Sequence, residues 1–202
     1  MDEGYLKFEC QRTASLCVTD GEVAKLGEWR ERLYHLGLVG FYENGVGFGN
    51  LSVRAAVPSQ FIITGSRTGR FPRLNREHYA RVLSFDLDKN LVVCQGVVDA
   101  SSESLTHGSM YRMFPDVGAV IHVHSASLWE KWLGDLPTTR AEIPNGTPEM
   151  AREIGRLLAE PIIKSKRILI MGGHRDGILA FGRDPDEAGE ILLSYVQPWC
   201  NS

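Results

Sequence analysis

"AVIHVHSAS", residues 119–127, makes two demands of one short run. Ala119, Val120, Ile121 and Val123 read as a buried strand. His122 and His124 interrupt that apolar run at a spacing of two. Strand side chains alternate between faces, so both imidazoles share a face with Val120, while Ala119, Ile121 and Val123 pack as core on the other. Two steps of about 3.3–3.4 Å rise put the two Cβ atoms roughly 7 Å apart. That separation lets two imidazoles converge on one cation with Zn–N bonds of about 2.0–2.1 Å. The alternative is that each histidine is half-buried and satisfied by a carbonyl. A third ligand decides between the two, because a catalytic zinc commonly has three protein ligands and one open position.

His35, His78, His107 and His174 are the remaining histidines. His174 stands out, because "MGGHRDGILAFG" puts it in a glycine-flanked turn between two apparent strands. Glycines there permit tight backbone geometry and let a side chain project into a cleft. Taken alone, the same residue reads as a solvated loop histidine. The cupin barrel also uses an H-x-H strand, with a glutamate three or four residues after the second histidine. Glu130 lies six positions after His124, in a stretch that reads as helix, so the cupin pattern fits poorly.

The chain of 202 residues suits one domain or two small ones, and 43% hydrophobic with 23% charged residues is a globular composition. A net charge of -3 argues against nucleic acid as the main partner. Cys10, Cys17, Cys94 and Cys200 form no C-x-x-C pair and read as reduced thiols of a cytoplasmic protein. The opening "MDEGYLKFEC" is acidic without an apolar h-region, which is unlike a signal peptide, and the apolar runs are far below the roughly 20 residues of a membrane span.

Elements alternate in type along the chain, which predicts one mixed α/β domain. Val23, Leu26, Trp29, Leu33 and Leu36 predict an amphipathic helix over 21–36. Strands are predicted at 51–55 and 60–64, and Asn75 is placed to cap a short helix through "REHYARV". "LSFDLD" and "NLVVCQGVV" read as a hairpin across Asp88-Lys89-Asn90. A helix is predicted from Ser101 or Ser102 to about Phe114, with Leu105, Met110, Met113 and Phe114 inward and Pro115 ending it. Further on, "PEMAREIGRLLAE" is a helix with Thr147 as N-cap and Pro148 first. "KRILIMG" and "GILAFG" are strands, and a last helix starts at Asp184-Pro185 with Glu187 closing a capping-box-like pattern.

Ser101, Ser102 and Glu103 stand where the third of these helices begins. A helix N-terminus offers free N–H groups and partial positive charge, which suits phosphate. Serine as N-cap and glutamate in a first turn also need no ligand to explain them. "GFGNLSV" at 47–53 and "ITGSRTG" at 63–69 mix glycine with Asn, Ser or Thr as anion-binding nests do. Neither is a P-loop, and no helix follows "GVGFGN" as a dinucleotide site would require. Arg67, Arg70 and Arg73 form a basic cluster that reads as solvated surface or as charge for an anionic substrate.

In order, "GNLSVR", "ITGSRTG", "SSESLTH", "AVIHVH" and a glycine-flanked His174 resemble the class II aldolase/adducin family from about residue 20 to 197. Glu103 precedes His122 by 19 residues, as in that family. The resemblance implies a single three-layer α/β/α domain with a mixed, largely antiparallel sheet over residues 1–202. It implies that His122, His124 and His174 bind a divalent metal, usually Zn2+, with Mn, Co or Fe as alternatives. Glu103 is then the acid/base, and Asn50, Thr64, Gly65, Ser101 and Ser102 hold a substrate phosphate. The implied protein is a cytoplasmic homotetramer with a small sugar phosphate as partner and neither nucleic acid nor membrane. This chain departs from the family pattern in having two T-G pairs, Thr64-Gly65 and Thr68-Gly69, and in carrying Arg175 and Asp176 after His174. Tyr195 is available for the family's C-terminal tyrosine, without further support.

The implied reaction is aldol cleavage. Three neutral imidazoles leave a metal its +2 charge for the substrate oxygens of an enediolate, and Glu103 moves the carbon-bound proton. Sister reactions on the same scaffold are epimerisation, dehydration and decarboxylation. A non-catalytic, adducin-like interaction protein is the alternative of another class. A structural zinc site fits less well, because such sites favour four ligands and cysteine.

Overall fold

The computed structural model describes residues 5–196. Its strands in chain order are β1 (Glu9–Thr13), β2 (Gly40–Phe41), β3 (Gly47–Phe48), β4 (Asn50–Arg54), β5 (Phe61–Thr64), β6 (Tyr79–Asp86), β7 (Leu91–Gly96), β8 (Ala119–His124), β9 (Ile168–Ile170) and β10 (Gly177–Gly182). Eight of them form one sheet in the order β1-β7-β6-β5-β4-β8-β10-β9, while β2 and β3 form a separate ribbon. Only the β1–β7 pair is parallel within the eight-stranded sheet, so the sheet is mixed and largely antiparallel.

Both sheet faces are covered, and the strand alternation shows how. On β8, Val120 joins a core with α2 (Ser104–Met113), α4 (Pro148–Leu158) and α5 (Pro161–Lys166). Ala119, Ile121 and Val123 join a second core with α1 (Asp20–His35), α3 (Ala126–Trp132) and α6 (Pro185–Val196). Partner β10 splits the same way, with Leu179 and Phe181 on the first side and Ile178 and Ala180 on the second. The result is the three-layer α/β/α arrangement. Strand β8 is hydrogen-bonded on both edges, to β4 and β10.

Local chemistry fixes the ends of several helices. Thr19 and Glu22 form a capping box at the start of α1, with Leu26, Trp29 and Leu33 buried. Thr147 accepts from the Met150 N–H and Pro148 opens α4. Asp184 accepts from the Glu187 N–H at 2.8 Å at the start of α6.

The structure departs from the sequence expectations at several places. Asn75 caps only a three-residue 3-10 turn, Arg76–His78, and "YARV" belongs to β6. Ala80 and Val82 alternate into the first core there, a period of two that wins over the capping signal. Helix α2 begins at Ser104, so Ser101 and Ser102 precede it, and Met113 is 50% exposed rather than inward. Strand β1, the β2–β3 ribbon and α5 are additions to the expected elements. Cys10 and Cys94, far apart in sequence, bring their sulfurs to 3.6 Å as free thiols; Cys200 lies outside the described residues. No helix among the described residues is long and apolar enough to cross a membrane.

Candidate metal centre

Three histidines meet at one point. His122 and His124 leave β8 on the same face, and their Nε2 atoms lie 3.1 Å apart. His174 comes from the turn between β9 and β10. Ring centroids are 5.0 Å from His122 to His174 and 4.6 Å from His124 to His174. One ring nitrogen from each histidine falls within 4.8 Å of the others, and all three residues are buried.

The far nitrogens of the strand pair are held. His122 Nδ1 lies 3.2 Å from the Ile178 carbonyl, which can only accept, so Nδ1 carries the proton and Nε2 is left as the lone-pair nitrogen. His124 Nδ1 lies 3.0 Å from the Tyr42 hydroxyl. Such partners fix tautomer and ring orientation in metal-ligating histidines. Burial first, and the two neighbouring imidazoles next, hold His122 well below its usual 6.5, so it stays neutral. Neutral imidazole is the metal-ligating form.

The turn that delivers His174 is closely packed. Its backbone N–H donates to the Met171 carbonyl, and its carbonyl accepts from the Gly177 N–H. A Cβ at Gly173 would collide with the Ile143 carbonyl oxygen, so glycine is required for this approach.

Glu103 sits just ahead of α2 and is 2% exposed. Its Oε2 accepts from the Thr106 hydroxyl at 2.9 Å. Its Oε1 lies 3.8 Å from His174 Nδ1 and has no hydrogen-bond partner among the described residues. A buried carboxylate oxygen without a donor is costly unless a cation, water or substrate proton meets it. Helix α2 is anchored to β4 from behind. The Ser52 hydroxyl lies 2.7 Å from His107 Nδ1 and 2.7 Å from the Tyr111 hydroxyl. Burial takes the His107 imidazole down to about 3, so it is neutral in this anchor.

A cavity of about 380 Å³ opens beside the cluster. His122, His174 and Glu103 line it, and so do Asn50, Gly65, Ser101 and Ser102. Asn50 pairs with His122 across β4–β8, and its Oδ1 is buried without a partner among the described residues. Thr64 is not in the lining: its hydroxyl accepts from the Leu51 N–H at 3.1 Å. The second T-G pair, Thr68-Gly69, does line the cavity, together with Ser66, Arg67 and Arg70. Arg73 lies outside it, paired with Glu31 at 2.7 Å.

Tyr42, Phe48, Asn145 and Thr106 also belong to the site, and sequence reasoning missed them. Phe48 and Asn145 line the cavity, the Phe48 and His124 ring centroids are 5.6 Å apart, and Lys7 donates to the Asn145 carbonyl at 3.0 Å. Nothing in the spacing of Tyr42, Phe48 and Asn145 marks them, because each reaches the site through a loop or a short ribbon. Tyr195 packs edge-on against Trp132 at 5.5 Å in the second core, on the sheet face opposite His122 and His124.

The sequence profile of the class II aldolase and adducin N-terminal domain matches residues 25–197. This chain belongs to that family. Solved structures similar to it include an L-fuculose 1-phosphate aldolase, at 20% identity and TM-score 0.66, covering 92% of this chain and 88% of that one. The L-fuculose-1-phosphate aldolase of Thermus thermophilus is 22% identical with TM-score 0.58, covering 91% and 98%. YgbL of Escherichia coli, for which aldolase, epimerase and decarboxylase are the candidate activities, is 17% identical with TM-score 0.59, covering 87% and 86%. At these identities the likeness carries the fold.

Proposed function

We propose that this class II aldolase family member is a metal-dependent lyase that cleaves a carbon–carbon bond in a small phosphorylated sugar or ketose. The observation that carries the proposal is the meeting of His122 and His124 Nε2 at 3.1 Å beside His174 and the buried Oε1 of Glu103, which has no hydrogen-bond partner among the described residues. Three converging imidazole donors beside a cavity fit a divalent cation held for catalysis. We take Zn2+ as the cation, although imidazole donors also suit other first-row metals. When bound, the cation supplies positive charge for the negative charge that develops on substrate oxygens.

The chain's own residues do the rest. His122, His124 and His174 hold the cation, and Ile178 and Tyr42 hold the first two in register. Glu103 moves the proton to or from the reacting carbon through Oε1, while Thr106 fixes Oε2. Asn50, Gly65, Ser101 and Ser102 border the part of the cavity where the substrate's phosphate end would lie. Thr64 contributes by tying β5 to the Leu51 N–H of β4, next to Asn50. We further take residues 1–202 as one class II aldolase-like domain acting as a cytoplasmic homotetramer.

Epimerisation, dehydration and decarboxylation would use the same cation and the same carboxylate. The test is the product profile of the metal-loaded protein on a panel of sugar phosphates, read by NMR. Paired aldehyde and ketone fragments support cleavage. An inverted sugar, lost water or lost carbon dioxide would replace the lyase reading with the matching sister reaction. A protein that binds no divalent metal and turns over nothing is an adducin-like interaction protein instead.

A further inference from the structure

The turn that follows β5 carries more charge than its neutral cradle needs. Arg30 of α1 is only 3% exposed, yet no carboxylate pairs with it among the described residues. Its guanidinium donates instead to the carbonyls of Pro72 at 3.1 Å, Gly69 at 3.0 Å and Thr68 at 3.5 Å, and it stacks over the Tyr34 ring at 4.7 Å. A buried cation is costly unless it is well hydrogen-bonded. Here the side chain of Arg30 gathers three carbonyls of the 68–72 backbone.

The neutral groups of the same turn are already committed to the fold. The Gly65 N–H donates to the His78 carbonyl and the Ser66 N–H to the Asp99 carbonyl, each at 2.8 Å. The Thr64 hydroxyl accepts from Leu51, and the Thr68 hydroxyl donates to the Gly65 carbonyl at 2.8 Å. No nest of free N–H groups therefore exists at 65–66 to receive an anion. Arg67 and Arg70, both exposed and both on the cavity lining, are what the turn offers instead. Arg67 holds a left-handed backbone (φ 63) and has no hydrogen-bond or ion-pair partner among the described residues. Arg70 lies over the Phe71 ring at 4.8 Å, with no carboxylate partner among the same residues.

We infer that residues 65–72 form an arginine clamp in which Arg67 and Arg70 grip the phosphate of the substrate, and Arg30 is the positioning residue that holds the turn's backbone. This inference rests on the reading of the site as one for a small phosphorylated substrate. Guanidinium forks match phosphate oxygens in geometry and charge, so the pair selects phosphate monoesters over neutral sugars. Because both side chains are exposed, their grip weakens as salt rises.

The test is calorimetric titration of inorganic phosphate into the full-length, chelator-treated protein at fixed ionic strength. The Arg67→Gln/Arg70→Gln double variant is expected to bind phosphate roughly 10–100-fold more weakly, the scale of lost charge-assisted hydrogen bonds. Arg73→Gln, outside the cavity and paired with Glu31, is expected to bind as the parent does. Equal phosphate binding by the parent and the double variant overturns the clamp and leaves the phosphorylated-substrate reading intact. No phosphate binding by the parent overturns both. An equal loss in Arg73→Gln reduces the effect to overall charge and overturns the clamp. Arg30→Lys cannot span three carbonyls, so phosphate affinity is expected to fall several-fold at temperatures well below its unfolding midpoint. A lowered midpoint with unchanged phosphate affinity would make Arg30 structural only and remove its positioning role.

Discussion

The Tyr42 phenol oxygen lies 3.0 Å from His124 Nδ1, a contact that leaves His124 Nε2 facing His122. Tyr42 reaches it from the loop between β2 and β3. Removing the hydroxyl takes that contact away from the His124 ring. Tyr42→Phe is expected to weaken divalent-metal affinity by about 10–100-fold with little change in stability. Competition with a chelating dye measures it, and unchanged affinity would show that packing against Phe48 alone orients the ring.

The strand pair makes a stronger demand. His122→Ala and His124→Ala are each expected to lose bound metal, because two donors no longer define the centre. Elemental analysis by mass spectrometry after dialysis reads this directly. Stoichiometric zinc in either variant would show that the cluster is not the metal centre.

Glu103→Gln keeps the volume and the Thr106 contact but removes the carboxylate proposed as the base. Turnover is expected to fall by roughly 10²–10⁴-fold while metal content stays at the parent value. Full activity in this variant would take Glu103 out of the chemistry.

Much of this site follows from periodicity. The alternation in "AVIHVH" predicts β8, its two buried faces and the common side of His122 and His124, and the structure agrees. The alternation in "GILAFG" predicts β10 to the residue. Strand β1 has no such signature, since "ECQRT" is an edge strand exposed along most of its length, paired only with β7. The β2–β3 ribbon has two residues per strand, too few for any pattern, so nothing points to Tyr42 or Phe48. Helix α2 misleads in another way. Every residue from Ser104 to Tyr111 is buried, polar ones included, because α2 is enclosed by the sheet and α4 and carries its own hydrogen-bond network. A one-sided apolar stripe is therefore the wrong template for Met113.

That network can be weighed. Ser52→Ala leaves His107 Nδ1 and the Tyr111 hydroxyl buried without their shared partner. The expected cost is about 1–3 kcal/mol. Urea unfolding followed by circular dichroism measures it, and a shift below about 0.5 kcal/mol would mean that the two groups find each other or water.

Glu153 of α4 carries a strongly lowered carboxyl pKa. Its side chain is fully buried between Arg156 at 2.8 Å and Arg140 at 3.0 Å, and the Arg156 hydrogen bond leads in holding its carboxyl at about 2, against an ordinary 4.5. A depressed folded pKa stabilises the protein above the unfolded value and loses that contribution as pH falls toward the folded one. The parent is therefore expected to lose stability between about pH 4.5 and 2 more steeply than Glu153→Gln. Thermal midpoints measured across that range decide it, and parallel curves would show that other carboxylates dominate.

Strand β8 is paired along both edges, whereas His174 rides on a short glycine-rich reversal. Two of the three histidines are thus fixed by a strand held on both sides, and the third by the packing of one turn. Any ion held by all three histidines would then depend on the placement of that reversal, and a side chain at Gly172 or Gly173 would push it off the Thr139 and Ile143 carbonyls and move His174 with it.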